Sequence, residues 1–471
     1  MTPTYQLLLP IEHAKQVNIN GTYLERLEAL LSQDLDFHEQ GSGYASHNFH
    51  SFPAKFPPQL PRKFIQGLTE AEEVILDPMV GSGTTVVEAC LSGRRGIGFD
   101  IDPLALLVSR VKVTPLDIEQ VARLGSEILR QARTLVMERH SELEERLVGR
   151  WDTKTREFVN YWFAAETQIE LLALIMEIEK LRDEAIRAFF ELVFSAIIIT
   201  KSGGVSLAFD LAHTRPHRAK VVYSSDGDIV LGHDLVDSSS SRIKLLTKTL
   251  RSPLEEFGKR FRQNLEGLHM VRAGVIQPEV TFGDAQSLSL NEASVDLIIT
   301  SPPYAANAID YMRAHKFSLV WMGFPIQDLG QKRKEYIGGE AVTGIDYEAL
   351  PSETAGVIAD IASVDEKRGR VLHRYYSEMA RTLREMFRVL KPGKAAIVVV
   401  GSSTMRGKDT KTHVCLADIG RAIGFDVPKI GIRHLDRDRR MMPAGAIVDS
   451  ESQIQQRMHE EYVIGFYKPA I

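Results

Sequence analysis

A chain of 471 residues, 44% hydrophobic and 25% charged, has the composition of a globular protein with room for two or three cores, which excludes a disordered or fibrous chain. Its net charge of −5 neither demands nor excludes nucleic acid, because binding depends on a local basic face rather than on the total. The only cysteines, Cys90 and Cys415, argue against a disulfide framework and a cysteine-based zinc site and fit a reducing cytoplasm.

The chain starts MTPTYQLLLPIEHAKQ, without a basic region followed by a long apolar run, so no signal peptide is expected. Residues 1–45 read as an N-terminal extension. HNFHSFPAKFPPQLPRKFI, His47 to Ile65, comes next. His47 and His50 are close enough to suggest a metal, but no acid or cysteine cluster joins them, and no metal is expected.

Glu72 to Pro103 carries more information. Val74-Ile75-Leu76 reads as a short buried strand ending in Asp77, and GSGTT (Gly81 to Thr85) as a tight turn. TVVEACLSG reads as a helix closed by Gly93, and GIGFD as a second strand ending in Asp100. Strand, glycine turn, helix, strand and acid make up half of a nucleotide-binding α/β sheet. Glycines let backbone N–H groups approach a ligand, and a terminal acid can accept both ribose hydroxyls. The turn is not GxGxxG and lacks the lysine of a phosphate-binding loop, so a ligand without phosphates fits better: a nucleoside with an amino-acid tail, S-adenosylmethionine.

From residue 116 to 275 lies material that such a sheet does not need. Val121, Leu124, Ile128 and Leu135 follow helical spacing, as do the apolar positions of TQIELLALIMEIEKLRDEAIRAFFELVF. AFFELVFSAIIIT, Ala188 to Thr200, is too short to span a bilayer and contains Glu191, so a buried helix is expected there. SGGVSLAFDLAHTRPHRAKVVYSSDGDIVLGHD reads as loop, and DSSSS (Asp237 to Ser241) likewise. RIKLLTKTLRSPLEEFGKRFRQNLEGLHMVR reads as one further helix, with Arg242, Lys244, Lys248, Arg251, Lys259, Arg260 and Arg262 outnumbering its acids. A DNA-reading subdomain and a structural one with a solvated basic face both remain open.

VTFGDAQSLSL supplies another strand, ending in Gly283-Asp284-Ala285, where an acid can accept from an adenine amino group. Any one of these acids, taken alone, also reads as a helix cap or turn residue. Val295 to Thr300 reads as a buried strand, and Ser301-Pro302-Pro303-Tyr304 as a stiff loop at its carboxyl end, where ligands bind in open α/β sheets. Two later basic segments, GQKRKEYIGGE and RHLDRDRRMMPAG (Arg433 to Gly445), compete with the helical region as DNA contacts.

In this order, DPMVGSGTT, GFDIDP, GDA and TSPPY resemble the S-adenosylmethionine-dependent amino-group DNA methyltransferases, which methylate the exocyclic nitrogen of cytosine (N4) or adenine (N6). His47 to Ile65 resembles the family's remaining cofactor motif, Val389 to Gly401 its helix-turn-strand, and Glu460 to Pro469 its last strand. The resemblance implies a class I methyltransferase fold, Rossmann-like α/β, with a seven-stranded, mostly parallel sheet. It places the catalytic domain at 46–115 and 276–471 and a mainly helical insertion at 116–275. By position, it gives Asp77, Gly81, Ser82, Gly83 and Thr84 the methionine end of the cofactor, Asp100 the ribose and Asp284 the adenine, with Lys55 and Phe56 closing the site.

An exocyclic amino group is a poor nucleophile because its lone pair is delocalised into the ring. Acceptors for both of its protons favour a pyramidal nitrogen with the lone pair aimed at the methyl group. Ser301 Oγ and the Pro302 carbonyl are suitable acceptors on a loop that Pro302 and Pro303 keep rigid, and Tyr304 offers a face for a flipped-out base. Carbon methylation needs a cysteine, which the known enzymes place after a proline; Cys90 follows Ala89 and Cys415 follows Val414.

The expected function is therefore methylation of cytosine N4 in duplex DNA, in a restriction-modification or phage-defence setting, with cognate restriction or defence proteins as further partners and no membrane. Adenine N6 is the alternative within the class. An RNA or protein-amide methyltransferase usually begins this loop with Asn or Asp, which Ser301 disfavours. A non-catalytic nucleic-acid-binding subunit is the remaining alternative.

Overall fold

The computed structural model describes residues 21–470 apart from 39, 54, 212–215, 237–239, 241–242, 245, 272–276, 306–309 and 436–459. Its centre is a seven-stranded sheet. In chain order the strands are β1 (Val74–Asp77), β2 (Arg95–Asp100), β3 (Glu279–Phe282), β4 (Val295–Thr300), β5 (Leu390–Gly401), β6 (Ile430–His434) and β7 (Glu460–Tyr467). They lie side by side as β6-β7-β5-β4-β1-β2-β3, and only β7 runs antiparallel to both of its neighbours.

The central strands are buried runs of aliphatic residues because helices cover both faces, and the period-two alternation sorts their side chains between those faces. Ile75, Leu297, Ile397 and Val463 pack with α1 (Tyr23–Ser32) and α2 (Gln59–Leu68), through Leu27, Leu31 and Phe64. Leu76, Ile298, Val398 and Ile464 point the other way, onto the long helix Glu366–Val389 and onto Thr412–Ile423. Thr22 and Glu25 form a capping box at the start of α1, in the segment read as an N-terminal extension, and the helix lies on the sheet.

After β1 the chain enters α3 (Thr84–Leu91), and after β2 it enters α4 (Pro103–Val113). Asp102 caps α4 and Pro103 occupies its first turn, a pairing that suits a helix start. The helical region follows as α5 (Ile118–Glu138), α6 (His140–Arg150), α7 (Thr153–Trp162), α8 (Ala165–Glu179) and α9 (Glu184–Ile198). The apolar run expected to be a buried helix falls largely in α9. Among the described residues no helix is long and apolar enough to cross a membrane.

Two readings of this region need correction. The stretch read as loop contains short strands, with Ala208–Asp210 pairing to His217–Arg218 and Val221–Tyr223 to Ile229–Leu231. The single helix read from 242 onward is broken: Ile243 and Lys244 are helical, and a separate helix, α10 (Pro253–Leu268), capped by Ser252, begins at Pro253. Before it, Thr247–Thr249 pairs in parallel with Val221–Tyr223. Lys248 explains the difference: its amine donates to the carbonyls of Ser202, Gly204, Ser206 and Ala208 at 2.8–3.3 Å, tying this strand to the preceding turn. Arg242 and most of DSSSS lie outside the described residues.

Beyond β4 come α11 (Met312–Leu319) and α12 (Ile326–Lys332). Phe317 and Trp321 enter the core of the helical region, each within 6.2 Å, centroid to centroid, of the Phe163 ring. Trp321 is fully buried, and the Trp151 indole N–H donates to the Val320 carbonyl at 2.9 Å. The segment downstream of the proline loop and the helical region thus share one core.

Candidate active site

Because the chain places β2 and β3 on one side of β1 and β4 and β5 on the other, a crevice opens beyond the carboxyl ends of β1 and β4. A cavity partly open to solvent lies there. Its wall includes Lys55, Phe56, Asp77, Gly81, Ser82, Thr84, Asp100, Asp284, Ser301 and Pro303, which the sequence separates by up to 248 positions. Gly83, Pro302 and Tyr304 complete the same two loops without lining the cavity: Gly83 is the N-cap of α3, Pro302 is buried and Tyr304 is half-buried.

The glycine turn needs its glycines. Gly81 and Gly83 have φ of 46° and 79°, and a Cβ on Gly83 would lie 2.9 Å from Ser109 Cβ on α4. The Gly81 N–H donates to Asp100 at 2.9 Å. From behind, the fully buried Lys112 amine donates to the Ser82 carbonyl at 2.7 Å. Burial, with Lys55 nearby, holds the Lys112 amine well below its usual range.

Burial pushes Asp77 up to about 6. Asp100 rises to about 7, first through burial and then through the adjacent Asp102. Lys55 moves the opposite way, down to about 8, through burial and then the charges of Arg260 and Lys201. Its amine donates to the His47 and His50 carbonyls at 3.0 and 3.4 Å. The two histidines face different partners: His47 meets Glu88 at 2.8 Å, and His50 meets the Ser195 hydroxyl at 3.0 Å.

Sequence reasoning missed a second tier of residues. Asp102, beyond capping α4, accepts from the Tyr336 hydroxyl at 2.6 Å and faces Nδ1 of the fully buried His315 at 2.8 Å. Burial alone would raise the Asp102 carboxyl, but His315 and these hydrogen bonds hold it below its usual range. Tyr336 and Tyr311 both line the cavity, and Tyr311 stacks on Phe52 with centroids 5.7 Å apart. Aspartate before proline reads first as a helix cap, which conceals its second role.

The Tyr304 hydroxyl donates to Glu461 at 2.9 Å, and burial, followed by the Glu461 charge, holds it well above its usual range. Arg433 forms an ion pair with the same carboxylate and is 4% exposed. That corrects the reading of Arg433 as a DNA contact, since its guanidinium is buried against strand β7 rather than offered to solvent; residues 436–445 of that segment lie outside the described residues. Lys248 is likewise committed to backbone carbonyls, and Glu256 pairs with both Arg251 and Lys259, so the basic excess before and along α10 is partly neutralised.

A family model described as DNA methylase matches residues 18–108. The type II methyltransferase M.MvaI of Kocuria varians is 23% identical over 447 residues, covering 91% of this chain and 89% of that protein. M.MjaII of Methanocaldococcus jannaschii is 22% identical, covering 72% of this chain and 78% of its own length. A shorter match, 40% identical over 60 residues, joins 13% of the chain to 17% of M.BglI of Bacillus subtilis. Among solved structures, a TehB-like methyltransferase of Corynebacterium glutamicum covers 87% of this chain and 86% of its own, at 9% identity and a TM-score of 0.26, too low to carry an argument.

Proposed function

We propose that the chain, similar to type II methyltransferases over most of its length, is an S-adenosylmethionine-dependent amino-group DNA methyltransferase that methylates N4 of cytosine in duplex DNA. The observation that carries the base assignment is Ser301, a neutral hydroxyl at the head of a proline-fixed loop in the same cavity as the acids of β1 and β2. The family's adenine enzymes mostly begin this loop with Asp, and its cytosine enzymes mostly with Ser.

The cavity's chemistry suits the cofactor. Asp77 and Asp100 are carboxylates that burial holds above their usual range, so a cationic, hydroxyl-bearing ligand suits both. Asp77, Gly81, Ser82, Gly83 and Thr84 would hold its methionine end, Asp100 the ribose and Asp284 the adenine, with Lys55 and Phe56 closing over it. The bound cofactor supplies an electrophilic methyl group on a sulfonium. Ser301 Oγ and the Pro302 carbonyl accept the two amino protons and turn the nitrogen lone pair outward. The Tyr304 ring, anchored at its hydroxyl, gives the flipped base a face.

The two-part catalytic domain and the insertion at 116–275 belong to the same proposal. Lys201 and Arg260 of the insertion act on Lys55 at the cavity, which supports a DNA-contacting role for that side of the molecule. The named relatives are type II methyltransferases, which supports a restriction-modification role in the cytoplasm, with a cognate restriction enzyme as partner. Methylation-aware sequencing of DNA from cells expressing the protein should show modified cytosines at one recurring sequence. The marks should vanish with Ser301→Ala; marks that persist in that variant would reject Ser301 as the acceptor.

A further inference from the structure

The segment that leads to Lys55 and Phe56 is held in place by the helical region. On α10 the Asn264 amide donates to the Phe49 carbonyl at 3.1 Å, and the Arg260 guanidinium to the Asn48 carbonyl at 3.5 Å. On α9 the Ser195 hydroxyl meets His50 Nε2 at 3.0 Å. Asn264, Ser195 and His50 are all buried, and the Phe49 ring packs on Phe189 of α9 with centroids 6.2 Å apart. A few residues further on, Phe52, Lys55 and Phe56 line the cavity.

Proton counting gives these contacts a direction. Ser318 on α11 gives its one hydroxyl proton to the His315 carbonyl at 3.3 Å, so Ser195 is the donor in the 2.9 Å bond between the two serines. Ser195 then has only acceptor sites left for His50, whose proton therefore sits on Nε2. The other ring nitrogen of His50 is buried without a partner among the described residues, so Ser195 alone orients that ring by hydrogen bonding. His315 of α11 faces Asp102 in the cavity wall. One hydroxyl of the helical region thus ties together two sides of the cavity.

We propose that Ser195 and Asn264 are positioning residues for the cofactor: from the helical region they dock the segment that carries Phe52, Lys55 and Phe56 against the cavity. Neither residue lines the cavity itself. This rests on the reading of the cavity as an S-adenosylmethionine site. Removing either side chain's hydrogen bond leaves a buried group of the segment unpaired when docked, and water can pair it when the segment lifts. The docked fraction then falls, and cofactor affinity falls with it.

Asn264→Leu, similar in size but without a donor, tests the idea. Calorimetry with S-adenosylmethionine should show affinity lowered about tenfold, the scale of one unsatisfied buried group. Ser195→Ala, which leaves the His50 N–H unpaired, should lose affinity on the same order. Affinity for duplex DNA without cofactor should stay within about twofold, since both side chains are buried away from any ligand. Lys55→Ala/Phe56→Ala should itself bind cofactor more weakly. In that background either substitution should cost less than about twofold more, because the segment it docks has lost its contacts.

Unchanged cofactor affinity in either folded variant, an equal loss in both backgrounds, or a fall in DNA affinity as large as that for cofactor would each overturn the proposal. So would full cofactor affinity in Lys55→Ala/Phe56→Ala. Ser195→Ala carries the same cycle and decides the matter even if Asn264→Leu fails to fold. Wild-type protein that binds no S-adenosylmethionine would instead refute the reading of the cavity.

Discussion

Asp77 and Asp100 share a cavity in which ionisation is costly, and that cost sets a pH dependence. Protonated Asp100, about half the ligand-free population near pH 7, cannot accept both ribose hydroxyls. Cofactor affinity measured by calorimetry should therefore fall as pH drops from about 8 to 6, and Asp100→Asn should flatten the profile while weakening binding at pH 8. An unchanged affinity across that range would remove Asp100 from the site. In the ligand-free fold the sign is reversed: the folded state retains a proton that the unfolded chain loses near 4, so stability from this group declines as pH rises from about 4 through 7. Asp100→Asn should accordingly raise the ligand-free melting temperature more at pH 8 than at pH 5. Ser301→Ala should keep cofactor affinity and lose transfer, checked by comparing binding with single-turnover rate. These acids were legible because each ends a strand with a plain β pattern. Asp102, Tyr336 and Glu461 were not, because their roles arise from partners 213–234 residues away in the first case and from a cross-strand pairing in the last.

At the scale of elements, the glycine turn is rigid because α4 braces it. Gly83→Ala adds a methyl group at φ 79° against Ser109, so the turn must shift. The expected result is a stability loss of about 1–3 kcal/mol and weakened cofactor binding, read from denaturant unfolding and calorimetry on the same variant. Unaltered binding in that variant would show that the turn's backbone is not what the cofactor meets. β1, α3, β2, β3 and β4 could be read from pattern because local preference and burial agree there. Thr247–Thr249 could not: a basic, leucine-containing stretch reads as helix, and only the buried Lys248 amine, bound to four carbonyls distant in sequence, makes it a strand.

Across the whole molecule, residues 116–275 are joined by packing to the segment that follows the proline loop. Tyr311, the N-cap of α11, lines the cavity and His315 on α11 faces Asp102, while Phe317, with Trp321 just beyond the helix, enters the helical core. Trp321→Ala should therefore destabilise by about 3–5 kcal/mol and also weaken cofactor binding through α11, measured by thermal unfolding with and without cofactor. Excising 116–275 should unfold the chain rather than merely reduce DNA affinity, because Phe317 and Trp321 would lose their partners. A soluble deletion that still methylates would show the region to be dispensable. The seven-stranded architecture was legible from the order of its motifs, whereas this shared core was not, since no local pattern says that an insertion closes over the segment following the proline loop.

The most direct measurement is to incubate the purified protein with duplex DNA and methyl-labelled S-adenosylmethionine, digest the DNA to nucleosides and separate them by mass. Label in N4-methylcytosine is the predicted result, and label solely in N6-methyladenine would contradict it.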